Sequence, residues 1–140
     1  MRVITSLIIA TLTMSTFATA PFAAAADCLP FEPVKVTLTG SLVSRTFPGP
    51  PNFNSTEEGD RAEEVIILVL NEPICINANS NDALNPLDSS NIREVQLVFS
   101  TPPGPEFMER SVAVYGSLFA AHTGHHHVPI LLTVISVHAA

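Results

Sequence analysis

His122, His125, His126 and His127 fall within six residues of one another, inside the segment GSLFAAHTGHHHVPILLTV. Imidazole exchanges a proton near neutral pH and offers a lone pair when neutral. Rings this crowded can therefore ligate a metal, relay protons or hydrogen-bond a ligand. In extended backbone His125 and His127 share one face and His126 turns to the other. His122 can approach the first two across a turn, which Gly124 would permit through its freedom at positive φ. Three neutral imidazoles on one side suit zinc, copper or nickel. The acidic stretch from Asn52 to Glu64 can supply oxygen, and Glu58 and Asp60 are the expected carboxylate partners, as a fourth ligand or as acceptors behind the rings. The expected site is thus His122, His125 and His127 with His126 beside them. A plainer assignment stays open, in which the rings bond loop carbonyls and hold the acidic loop in place. His138 stands apart and is expected in solvent.

Catalysis finds little support. Ser117 and Thr123 lie near the imidazoles in sequence, but neither sits in a nucleophile elbow. Phosphate-loop, dinucleotide and haem signatures do not occur. No catalytic residue is assigned, and a binding module is expected in preference to an enzyme.

The histidines sit between two alternating apolar segments, so strands must position them. Val112, Val114, Gly116 and Leu118 alternate with Ala113, Tyr115, Ser117 and Phe119; Leu131, Thr133, Ile135 and Val137 do the same after the cluster. Earlier, Val34, Val36 and Leu38 alternate with Lys35, Thr37 and Thr39 before Gly40 interrupts, and a glycine inside a strand marks a bulge or bend. Val65 to Leu70 is a continuous apolar run, as in a central strand. Asn71-Glu72-Pro73 is expected to break it, with Ile74 to Ile76 as a short return. Five main strands result, at 34–47, 65–70, 92–100, 111–119 and 130–137, with at most one helical turn near Glu106 to Arg110. An interrupted first strand and this count predict a small oligonucleotide/oligosaccharide-binding (OB) type barrel; a small open β-sandwich is the alternative. In the barrel, the first long loop and the histidine hairpin flank one binding face. Asn77 to Asn91 reads as a plain turn region.

The chain opens with a short basic start, an apolar and hydroxyl-bearing stretch and a run of alanines ending at Ala26, the order of a secretory signal peptide. Residues 1–26 are expected to be removed, leaving 27–140 as one small β domain with no membrane span, periplasmic or secreted. Thirteen carboxylates against six Lys and Arg give a formal charge of −7, and loss of Arg2 with the leader makes it −8. That balance repels a phosphate backbone, so nucleic acid is excluded as a partner on charge. A protein or a small ligand fits better; oligomeric state is not legible. The two cysteines, Cys28 and Cys75, both follow the leader. In an oxidising compartment their default is one disulfide, worth on the order of 4 kcal/mol for so long a loop. Two thiolate ligands beside the histidines are the alternative.

At TFPGPPN, GDRAEE, NEPICI and, above all, GSLFAAHTGHHHVPILLTV, the chain resembles a family of small exported bacterial domains of unknown function. That family ends in a histidine hairpin of the type GTLF-x-AHTGHHHTPVLLTV. The resemblance covers most of the chain after the leader and is sharpest at its end. In the family pattern the place of Ala120 is often held by another histidine and that of Val128 by threonine. If Ala120 replaces a ligand, this member binds metal less tightly or not at all. The resemblance implies compartment and fold and carries no activity. Two functions are therefore expected as alternatives: an exported binding module with a metal-capable histidine hairpin, zinc or copper being the cofactor, or an interaction domain that docks through its proline-rich loop and uses the histidines as staples.

Overall fold

The strongest alternating segments of the chain become strands of one closed sheet in a computed structural model, which describes residues 27–140. The expected leader, residues 1–26, lies outside the described residues. The strands are β1 (Leu29–Pro30), β2 (Val36–Pro48), β3 (Ala62–Asn77), β4 (Ser89–Val98), β5 (Ser111–Ala120) and β6 (Ile130–Ala139). A single 3-10 turn, Pro105–Phe107, lies between β4 and β5. Among the described residues no helix is long and apolar enough to cross a membrane.

The sheet runs β3-β2-β5-β6-β4 and closes where β4 pairs again with β3. Every pairing in this ring is antiparallel except β4 with β6. It is the OB-type barrel expected from the strand count, with β1 added outside it, and not the open sandwich. Gly40 is where the long first strand changes neighbours. Val36–Ser41 pair with β5, whereas Gly40–Pro48 pair with β3. A Cβ at Gly40 would stand 2.2 Å from the Val69 carbonyl oxygen, so only glycine lets the strands come this close at the bend.

The boundaries of the second and third expected strands differ: β3 begins at Ala62 and β4 at Ser89, each three residues early, the latter inside the expected turn region. β3 does not stop at Leu70; it continues to Asn77 past a register shift between Val69 and Ile74. Asn71, Glu72 and Pro73 are exposed at that irregularity, where a proline lacking its N–H is tolerated. Ile74 to Ile76 are thus no return strand but the far end of the same one. There Ile76 meets Leu29 of β1 in parallel, and Cys75 is joined to Cys28 by a disulfide. β1 escapes notice in the sequence because two residues carry no period. The expected turn region after β3 is built around Asn85, which is fully buried. Its Oδ1 accepts the Ala120 N–H at 2.7 Å and its Nδ2 donates to Asp82 at 2.7 Å.

The register separates two layers of burial. Leu42, Leu68, Val95, Leu97, Leu118 and Leu132 belong to the core inside the barrel. Their strand neighbours Val43, Ile67, Gln96, Leu131 and Phe119 are cross-strand partners of one another in sequence around the ring. Because side chains alternate, this second row faces outward. Yet Ile67 and Leu131 are 0% exposed, Gln96 5% and Phe119 8%. Along this row Gln96 and Phe119 are covered by the histidine segment.

Candidate functional site

The segment between β5 and β6, residues 121–129, folds back over the outward row. Its tip is a tight turn in which the His126 N–H donates to the Thr123 carbonyl at 3.1 Å. Gln96 holds it from below, donating through Nε2 to the His125 carbonyl and accepting the His127 N–H at Oε1, both at 2.8 Å. One amide side chain thus satisfies two loop backbone groups that would otherwise be buried unpaired. Gly124 does not sit at positive φ, contrary to the turn argument. Instead a Cβ there would lie 2.9 Å from the Phe53 ring, so the glycine makes room for the β2–β3 loop.

The rings divide into two pairs. On one side His125 Nδ1 lies 2.8 and 3.0 Å from the two oxygens of Glu63. His127 Nε2 lies 3.3 Å from Glu63 Oε2. His127 stacks flat on Phe47, with ring centres 4.6 Å apart and planes 3° from parallel. Phe53 meets His125 edge-on at 5.0 Å. The His127 side chain is 8% exposed and that of His125 59%, with Glu63 between them at 25%. Although close to the carboxylate, the buried His127 Nε2 makes no hydrogen bond.

On the other side His122 and His126 meet edge-to-face with centres 4.7 Å apart, both resting on Phe119. The His122 backbone N–H donates to His126 Nδ1 at 3.0 Å. A nitrogen that accepts this bond carries no proton, so His126 is the neutral Nε2–H tautomer. Burial, reinforced by the neighbouring rings of His122, His125 and His127, holds it below the ordinary imidazole value. His122 Nδ1 in turn lies 3.0 Å from the Ala120 carbonyl oxygen.

The expected grouping is therefore redrawn. His125 and His127 do share a side, but His122 partners His126 rather than joining them. Neither Glu58 nor Asp60 is bonded to a histidine. Asp60 accepts backbone N–H groups from Asn52, Asn54 and Ser55 at 2.7 to 3.0 Å, plus the Asn52 side chain, and so shapes its own loop. Glu58 accepts from Asn54 Nδ2 on the loop surface. The carboxylate at the rings is Glu63. Burial works to raise its carboxyl, but the His125 hydrogen bond and the nearness of both imidazoles outweigh that and leave it below the usual range. Ser117 is buried and receives a bond from Lys35 Nζ, with no hydrogen bond to a histidine. His138 is exposed, as expected.

Five residues of this site went unread in the sequence: Glu63, Gln96, Phe47, Phe53 and Phe119. Glu63, Val65 and Ile67 have the same strand parity, which would place the carboxylate on one face. The apolar run of β3 hides that parity because both faces of the strand are buried. Among the described residues no group of three or more His, Cys, Asp or Glu side chains stands at separations fit to hold a metal ion.

Fold and site together define a closed OB-type barrel whose last hairpin, rich in histidine, straps its outer face. Residues 94–138, from within β4 into β6, match a family described as a domain of unknown function, DUF4431. No curated protein gives a significant match. No solved structure does either.

Proposed function

We propose that this protein is a small exported binding module whose recognition surface is the joined edge of the β2–β3 loop and the histidine hairpin. The observation that carries the reading is the union of these two loops, through Glu63 with His125 and through Phe53 packed on His125 and Gly124. OB barrels present ligands with the same pair of loops. Here the union is anchored on β3 by Glu63 and on β4 by Gln96, so its exposed parts, His122 and the His125 ring among them, are held before any partner arrives. Such preorganisation lowers the entropic cost of binding. Export is supported by the leader-like N-terminus and by the pairing of both cysteines. The test is a photo-crosslinking amino acid placed at His122 and, separately, at Ile135, an exposed site on β6, in the protein as its cells export it. A discrete adduct from position 122 and none from 135 is the expected outcome. Equal labelling at both positions, or none at 122, would remove this surface as the site.

A second reading is favoured by the inward rings. His126 and His127 are engaged with protein groups, and the hairpin seals the outward row. In that reading the histidines are staples of an accessory domain, and the same crosslinking experiment returns no adduct at 122.

A further inference from the structure

We propose that the gap between β2 and β3 beyond Gly40 is a docking slot for an extended peptide segment of a partner protein, one that alternates aliphatic and basic residues. The inference concerns a different part of the barrel from the hairpin surface and does not depend on it. β2 and β3 pair from Pro48 with Ala62 up to Gly40 with Leu70, and there their ladder ends. Past that point Val36–Thr39 of β2 pair with β5 alone. β3 runs on through its irregularity against β4, and on its β2 side it next meets a strand at Ile76, which pairs with Leu29. Between the two edges lies an open cleft of about 610 Å³. Thr37, Leu38 and Thr39 form one wall and Leu70 to Cys75 the other, while Leu29 closes one end beside the Cys28–Cys75 disulfide.

Backbone, floor and charge together define the occupant. Two strand edges face this cleft beyond the end of their ladder, and backbone donors and acceptors at such edges are matched by an added strand. A peptide chain repeats those groups at the strand spacing, which a lipid or a sugar does not. The floor is the core showing through the gap. Leu38 belongs to it, and Leu29, Leu70 and Ile74 are half-buried against it. Alternate side chains of an added strand would rest on this apolar surface, which is why they should be aliphatic. The rim is acidic. Asp27 and Glu72 stand exposed there, and no basic residue lines the cleft. Among the described residues neither carboxylate is in an ion pair. Lysine or arginine at the outward positions of the peptide would complement them, which favours encounter and sets the partner's sign.

The test uses the isotope-labelled exported protein and a short synthetic peptide alternating valine with lysine, blocked at both ends. On titration, the backbone amide signals of Thr37, Thr39, Asn71 and Glu72 should shift and those of His122 and Gly124 should stay. The same peptide with its backbone nitrogens methylated should shift nothing, because it cannot donate to a strand edge. Glu72→Lys, at an exposed position, should weaken the lysine peptide by about fivefold or more and strengthen a valine–glutamate counterpart. Half-saturation above about 1 mM overturns the slot. So does binding of the methylated peptide, or equal binding of the lysine and glutamate peptides by the parent. Shifts confined to the acidic β2–β3 loop or the hairpin overturn it too, and leave the recognition surface proposed above to its own crosslinking test. Shifts of the slot amides on concentrating the protein alone would give the slot to a second copy of the chain and overturn the partner peptide.

Discussion

Asp60 and Glu63 belong to one acidic stretch, yet they do different work, and the difference lies in what donates to each. Asp60 is held below the ordinary carboxylate range chiefly by the Asn54 N–H, against the opposing effect of burial and with help from Asn52 and Ser55. Its folded pKa is the lower one, so the unfolded chain takes up the proton first on acidification. The stability it contributes is complete above the ordinary aspartate value near about 4 and drains away as pH falls through the folded value. Asp60→Asn should therefore melt well below the parent at pH 7. Thermal melts repeated toward about pH 2 should show that gap closing. A gap that stayed constant with pH would mean the side chain matters only for its shape. Neither role was visible in the sequence, where thirteen carboxylates look alike and only the loop geometry tells them apart.

Strands were the legible level. Period-two alternation located β2, β5 and β6 to within about two residues, and the glycine in β2 marked the bend that lets five strands close. What the period could not show was continuation past an irregularity. Asn71-Glu72-Pro73 has the composition of a turn, but hydrogen bonding to β4 resumes beyond it. Nor could alternation distinguish an outward row buried by a loop from one buried by the core, which is why Gln96 passed unnoticed. Gly116 offers a test at this scale. It lies at the β5–β6 irregularity after Tyr115, and a Cβ there would stand 2.1 Å from the Thr133 carbonyl oxygen. Backbone cannot yield as a side-chain tip can. Gly116→Ala should cost about 3 kcal/mol by chemical denaturation, and a loss under about 1 kcal/mol would mean the two strands separate easily there.

At the scale of the molecule, the barrel closes through pairings distant in sequence, and its N-terminal segment is tied on by β1 and one disulfide. Cys28 and Cys75 stand 47 residues apart. Cutting that link frees a long loop in the unfolded chain, so reduction should lower stability by on the order of 4 kcal/mol in the chain-entropy model. Denaturation midpoints with and without reductant measure it. An unchanged midpoint would show that β1 and its two pairs hold the N-terminus unaided. The cysteine pair was legible because two cysteines admit only one intramolecular pairing. The chain's own lid over its outer face was not, because the contact joins residues 96 and 125 without any local signal.

That lid has a kinetic meaning. Residues 121–129 touch the barrel through Gln96, Glu63 and the ring contacts, whereas the strands beneath are locked on both edges. Segments of this kind open as separate units at a fraction of the global unfolding free energy. When this one lifts, Phe119 comes into water on the outside of a barrel that is still folded. The first sticky species expected of this protein is therefore native in its core, and binding of an apolar dye below the melting point would reveal it.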